Sequence, residues 1–224
     1  MIKIIDTSSG AFPEVDQLNP SFAPKSLRLK LTVDATAPRE HYLDQFPELL
    51  FHLTSLFPNL CHHQCSSGNE MDDFRDVVID NPLLPIKLVG DVIDSVHLLE
   101  HVIIELQCSL AQMPRCSGIT CNLWEPENRY DVYVECETRE MGAFAGRLGV
   151  QIINDILQSG AMSTSPRRMV KMVPLLLQQP RTDKRRLAEA LRWSATTVQR
   201  TLNELQVYQF PFPPSPAVPY SSTA

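Results

Sequence analysis

Residues 130–136, Tyr130-Asp131-Val132-Tyr133-Val134-Glu135-Cys136, alternate in polarity, and Thr138 then opens a long run from Arg139 to Leu157. Alternation with a period of two is the mark of a strand with one face buried. Thr138 is a helix-capping residue type, and Ser159-Gly160 is a stop signal, so the spacing predicts a helix over 139–157. Ala143, Ala145, Gly146 and Gly149 are small, which lets that helix lie close against a neighbour.

Upstream, the apolar run Val96–Met113 reads as another helix, with Asp94-Ser95 placed to cap it. Leu27-Arg28-Leu29-Lys30-Leu31-Thr32-Val33 alternates like a strand. From about Glu40 to Phe57, the residues Leu43, Phe46, Leu49, Leu50, Leu53 and Leu56 recur at helical spacing, and Pro58-Asn59 ends the run. Ile86–Ile93 is apolar without a clear period, Met113–Trp124 reads as a loop or short strand, and Pro126-Glu127-Asn128 as a turn. Strand, helix, helix, strand, helix is the order of an α+β domain with a layered core.

Downstream, Ser163-Thr164-Ser165-Pro166 reads as a linker. A helix is expected over Arg167–Gln179, bent at Pro174. Two short helices follow, Lys184–Arg192 capped by Thr182 or Asp183 and Thr196–Gln206 capped by Ser194. Leu187, Ala188, Leu191, Val198, Leu202 and Leu205 form their apolar set, which resembles a helix-turn-helix. Residues 209–224 are Pro- and Ser-rich and are expected to form a disordered tail. Three segments are thus expected: 1–162, 163–208 and 209–224.

Charge divides the chain at the same place. Residues 1–164 carry 11 Lys/Arg against 23 Asp/Glu, while residues 165–224 carry 9 against 3. Such asymmetry points to parts with different partners. Lys184, Arg185, Arg186, Arg192 and Arg200 are the candidate phosphate contacts if the second part binds DNA.

With 43% hydrophobic and 21% charged residues, the chain has the composition of a globular protein. No apolar run reaches the roughly 18 residues that would span a membrane, and the N-terminus has no signal-peptide pattern, so a cytoplasmic protein without a membrane partner is expected. The six cysteines are then expected as free thiols. Cys61-x3-Cys65, with His62 and His63 between, carries ligand residue types but has no second cysteine pair at zinc-finger spacing.

The chemistry-bearing motif is His97-Leu98-Leu99-Glu100-His101, inside the Val96–Met113 run. Positions four apart share one helix face, so the two imidazoles can serve one metal ion, with Glu100 beside them. This is the H-x-x-E-H order of inverted zincins, in which a carboxylate stands next to a metal-activated water. The metal expected is Zn2+, although cobalt or manganese suits these ligands too. A third protein ligand is required; Glu140 is favoured, with Glu137 and then Glu135 behind it. The expected fold is therefore α+β, a layered metallopeptidase-like domain followed by a small all-α helix-turn-helix-like domain.

Several stretches together resemble a known family: Leu60-x-x-His63-x-Cys65-Ser66-x-Gly68, Leu99-Glu100-His101-Val102-x-x-Glu105-Leu106-Gln107, Tyr130-x-Val132, and Glu140-Met141-Gly142-x-x-Ala145-Gly146-Arg147-Leu148. Over roughly residues 25–160 they look like the N-terminal domain of cyanophycin synthetase; counterparts of that enzyme's ATP-grasp and Mur-ligase-like modules are not expected here. The resemblance implies engagement of cyanophycin, an aspartate backbone bearing arginines, and a zinc-dependent metallopeptidase-like protease site that hydrolyses it or a related Asp/Arg peptide. The segment Arg115-Cys116-Ser117-Gly118-Ile119-Thr120-Cys121-Asn122 departs from the family in having fewer basic residues. Glu100 is the expected general base, Arg147 or Arg115 the oxyanion partner, and Glu105 and His63 the groups that orient ligands. The alternatives are a DNA-binding regulator and a noncatalytic binding protein, each sensing the polymer or its fragments. A homo-oligomer is also expected.

Overall fold

The structure is a computed structural model that describes residues 1–19, 21–36, 39–60, 95–123, 128–179 and 183–212, with backbone only over 39–44. It is α+β. Strands β1 (Ile2–Gly10), β2 (Arg28–Ala35), β3 (Gly118–Asn122) and β4 (Arg129–Glu135) form one antiparallel sheet in the order β1-β2-β4-β3. Helices α1 (Arg39–Leu56), α2 (Ser95–Leu110) and α3 (Arg139–Ser159) precede α4 (Thr164–Gln178), α5 (Lys184–Leu191) and α6 (Ala195–Val207).

The alternation in β2 and β4 decides the layering. Leu29, Leu31, Val33, Val132 and Val134 point to one face and are fully buried beneath α2 and α3. The small residues of α3 act as read from the sequence. A Cβ on Gly146 would lie 3.2 Å from Leu29 Cδ2, and one on Gly149 would lie 3.1 Å from Leu99 Cδ1 and 3.2 Å from Ile103 Cγ1 of α2. Thr138 caps α3 by accepting from the Met141 amide at 3.1 Å, and Gly160 ends it in the left-handed region at φ 66°.

The opposite sheet face carries Arg28, Lys30, Asp131, Tyr133 and Glu135, and residues 11–19 and 21–27, with a 3-10 turn at Pro13–Val15, pack against it. Val15 and Phe22 pack there with Tyr133. Arg28 is fully buried; its guanidinium lies over the Phe22 ring and donates to the Asp16 carboxylate and to the carbonyls of Ala11 and Phe12. Lys30 pairs with Asp131 at 2.9 Å.

β1 departs from the sequence expectation, which assigned it no strand. A bulge between Ile4 and Asp6 shifts its register on β2, so the period-two pattern that marks a strand is broken there. Asn154 of α3 fixes its start by accepting from the Ile2 amide at 2.8 Å and donating to the Ile2 carbonyl at 2.7 Å.

The expected linker is also corrected. Ser163 is the N-cap of α4, and Thr164–Pro166 form its first turn, where a missing proline N–H costs no helical hydrogen bond. α4 to α6 share the main core: Met169, Met172, Val173, Leu176, Leu187, Val198, Leu205 and Phe210 belong to the same apolar cluster as the sheet and α1 to α3. The Phe210 ring meets Phe144 of α3 edge-on at 5.1 Å. Within the described residues no helix is long and apolar enough to cross a membrane, and Cys108, Cys116, Cys121 and Cys136 are free thiols. The Ile86–Ile93 stretch, the Cys61–Cys65 cluster and residues 213–224 lie outside the described residues.

Candidate functional site

α2 lies on the sheet with its two sides in different company. Leu99 and Ile103 face Gly149 of α3. At 100° per residue, His97 and His101 fall on the side turned away from α3, with Cys108 two turns beyond His101 on the same side. The two imidazoles stack at 4.9 Å between centroids, with their planes 26° apart. Side-by-side rings at that separation can share one cation at metal–nitrogen distances of about 2.0–2.1 Å.

Glu100 lies on the flank between the histidines and the sheet. It is only 5% exposed, and His101 only 3%. Thr120 of β3 donates its hydroxyl to Glu100 Oε2 at 2.6 Å. Gly118, also on β3, leaves the space that the carboxylate fills: a Cβ there would sit 2.8 Å from Glu100 Oε1 and 3.0 Å from the Tyr133 carbonyl. Sequence reading missed both residues. They stand in the Arg115–Asn122 segment, whose few basic residues are its conspicuous feature in the sequence, while the signal lies in its glycine and threonine two residues apart on an edge strand.

The other expected carboxylates lie elsewhere. Glu135 is on the sheet face opposite α2, where it accepts from the Ala23 amide at 2.7 Å and the Ser117 amide at 3.1 Å. The sheet itself therefore separates it from the imidazoles. Glu137 and Glu140 are exposed at the start of α3. The Gln107 amide, 3.5 Å from the Met141 carbonyl, fixes where that end of α3 crosses α2. The crossing is six residues past His101, about 9 Å along the axis, and on the α3 side of the helix. Among the described residues, no group of three or more His, Cys, Asp or Glu is placed to hold a metal ion. His97 and His101 thus stand together on α2, and among the described residues no further His, Cys, Asp or Glu completes a metal-holding group with them.

Glu105 is buried on α2 one turn past His101, where a ligand-orienting group was expected. His63 lies outside the described residues. Arg115 is exposed in the connection from α2 to β3. Arg147 is held away from the pair: its Nε donates to the Tyr208 carbonyl at 3.0 Å, on the α3 side that meets the C-terminal helices. Burial lowers its pKa from the ordinary arginine value.

Two thiols meet beside this helix. The Cys108 thiol is lowered from its ordinary range by its hydrogen bond with Cys116, whose own pKa is raised by that contact and by burial. Burial pushes Cys136, beneath α3, up to about 12.

The basic residues singled out in the C-terminal part are Lys184, Arg185, Arg186, Arg192 and Arg200, and all five are exposed. Asp183 caps α5 by accepting from the Arg186 amide at 2.8 Å, and Ser194 caps α6 by accepting from the Thr197 amide at 3.1 Å.

An α+β layer with a buried glutamate and paired histidines on one helix is the class that fold and site define. Residues 29–158 match the cyanophycin synthase-like N-terminal domain. The chain belongs to that family. It is also 28% identical over 137 residues to the cyanophycin synthetase of Geminocystis herdmanii (strain PCC 6308), an alignment covering 61% of this chain and 14% of the relative.

Proposed function

We propose that this protein engages cyanophycin or a related Asp/Arg peptide and hydrolyses it at the His97–Glu100–His101 cluster, with zinc as the metal. The observation that carries this reading is the stacked imidazole pair beside a buried carboxylate anchored by Thr120. Zinc bound by His97 and His101 would supply an activated water and a polarised carbonyl. Its third ligand would come from outside the described residues, and the stretch 61–94, which ends where α2 begins, carries Cys61, His62, His63 and Cys65.

Glu100 is the proton carrier. It accepts the proton of the attacking water and passes it to the leaving nitrogen as the peptide bond breaks. The Thr120 bond and the Gly118 cavity hold its carboxylate in one orientation, so less reorganisation is needed when the proton moves. The acidic first part of the chain suits a substrate lined with guanidinium groups.

The synthetase relative is named for making the polymer, and this chain matches 14% of its length. Binding without cleavage is the second reading, favoured by the absence of a third ligand among the described residues. The test is incubation with insoluble cyanophycin and mass measurement of the supernatant. Hydrolysis predicts soluble Asp/Arg fragments, lost on chelation and restored by zinc. Polymer-bound protein with no fragments, zinc included, would replace hydrolysis with the second reading.

A further inference from the structure

The C-terminal helices carry a surface that the polymer reading leaves unused. α5 and α6 are joined by Arg192, Trp193 and Ser194, and Arg192 adopts the left-handed region at φ 55°, a turn position that glycine commonly fills. The Trp193 amide donates to the Ala188 carbonyl at 2.9 Å, which closes the turn. Leu187, Val198, Thr201 and Leu205 are buried inside this corner. Docking on α3 through Phe210 and Arg147 holds it in place.

The outer side of α6 is polar from Thr196 to Asn203, and the exposed Val207 ends it. Thr196, Gln199, Arg200 and Asn203 recur at three- and four-residue spacing, and Gln199 donates to Asn203 at 2.7 Å. The acids of residues 165–224 are all engaged: Asp183 caps α5, Glu189 pairs with Arg185 at 3.0 Å, and Glu204 accepts from Arg168 at 3.0 Å. With nine Lys/Arg against three Asp/Glu in this segment, Lys184, Arg186, Arg192 and Arg200 leave the exposed corner with a positive excess. An arginine-bearing polymer would be repelled by that face, so its partner is an anion. A protruding helix with hydrogen-bonding side chains fits the major groove of B-DNA, about 12 Å wide, whereas the deep narrow groove of duplex RNA excludes it.

We propose that α5 and α6 bind duplex DNA. α6 lies in the major groove with Thr196, Gln199, Arg200 and Asn203 toward the base edges, and Lys184, Arg186 and Arg192 contact phosphates. DNA binding at this corner is independent of hydrolysis at the other site.

The test uses the full chain and fluorescence anisotropy on a labelled duplex of about 30 base pairs, drawn first from a random pool and then from sequences enriched by binding. Binding near 50 mM salt is expected, weakening linearly in logarithmic plots by about 0.9 per phosphate contact. Replacing Lys184→Ala, Arg186→Ala and Arg192→Gly together should weaken binding about tenfold or more and flatten that slope. Arg192→Gly suits the left-handed backbone, and circular dichroism checks that the variant is folded. Arg200→Ala with Asn203→Ala should erase the preference for enriched sequences while leaving most of the salt-dependent binding. Three results would overturn the proposal: no binding near 50 mM salt, binding indifferent to the charge replacements in a folded variant, or equal binding of duplex RNA and heparin.

Discussion

Thr120 and Gly118 hold the centre of the site although neither carries its chemistry. Thr120→Val should leave the buried Glu100 carboxylate without its hydroxyl donor, at a cost of about 1–3 kcal/mol. Gly118→Ala forces a methyl to 2.8 Å from Glu100 Oε1 and 3.0 Å from a backbone carbonyl, and should destabilise by about 1–3 kcal/mol. Urea unfolding measures both, and unchanged midpoints would show that Glu100 is not locked as described. The thiols give a pH prediction. Thiolate is the species that reacts with iodoacetamide. Cys108, lowered from its ordinary value by Cys116, should label at a lower pH than a free cysteine, while Cys136, pushed up to about 12, should be spared at pH 8. Peptide mapping after brief alkylation reads this directly; faster labelling of Cys136 than of Cys108 would contradict it.

Elements were legible where one local period dominated. β2, β4, α1, α2 and α3 follow from alternation or helical spacing, and the caps Thr138, Asp183 and Ser194 stand where the sequence puts them. β1 was not legible because its bulge interrupts the alternation. The helix carrying the histidine pair was equally clear, since i and i+4 residues meet on any helix. The place of the acidic residues relative to that pair was not, because it depends on how α3 crosses α2 and on which sheet face a strand residue takes. Glu140 follows a correctly read cap, yet the Gln107–Met141 contact carries it past the histidines. Replacing Glu140→Ala should therefore leave zinc content unchanged, whereas His101→Ala should abolish it. Metal analysis of the purified variants checks this, and loss of zinc from Glu140→Ala would restore that residue as the ligand.

At the scale of the whole molecule, the charge division was visible in composition, but the shared core was not. Phe210 lies past the last helix and is 4% exposed against Phe144 and the common cluster. Phe210→Ala should cost about 3–5 kcal/mol and loosen α4 to α6 from α3. Thermal unfolding would show it, and a loss below about 1 kcal/mol would mean that the C-terminal helices stand independently. The acidic first part of the chain and the basic second part thus share one apolar core among the described residues. If Glu100 moves the proton in polymer cleavage, fragment release by Glu100→Gln at matched polymer occupancy exposes it. The variant should still sediment with cyanophycin and release no Asp/Arg fragments; release at the wild-type rate would mean that another group carries the proton.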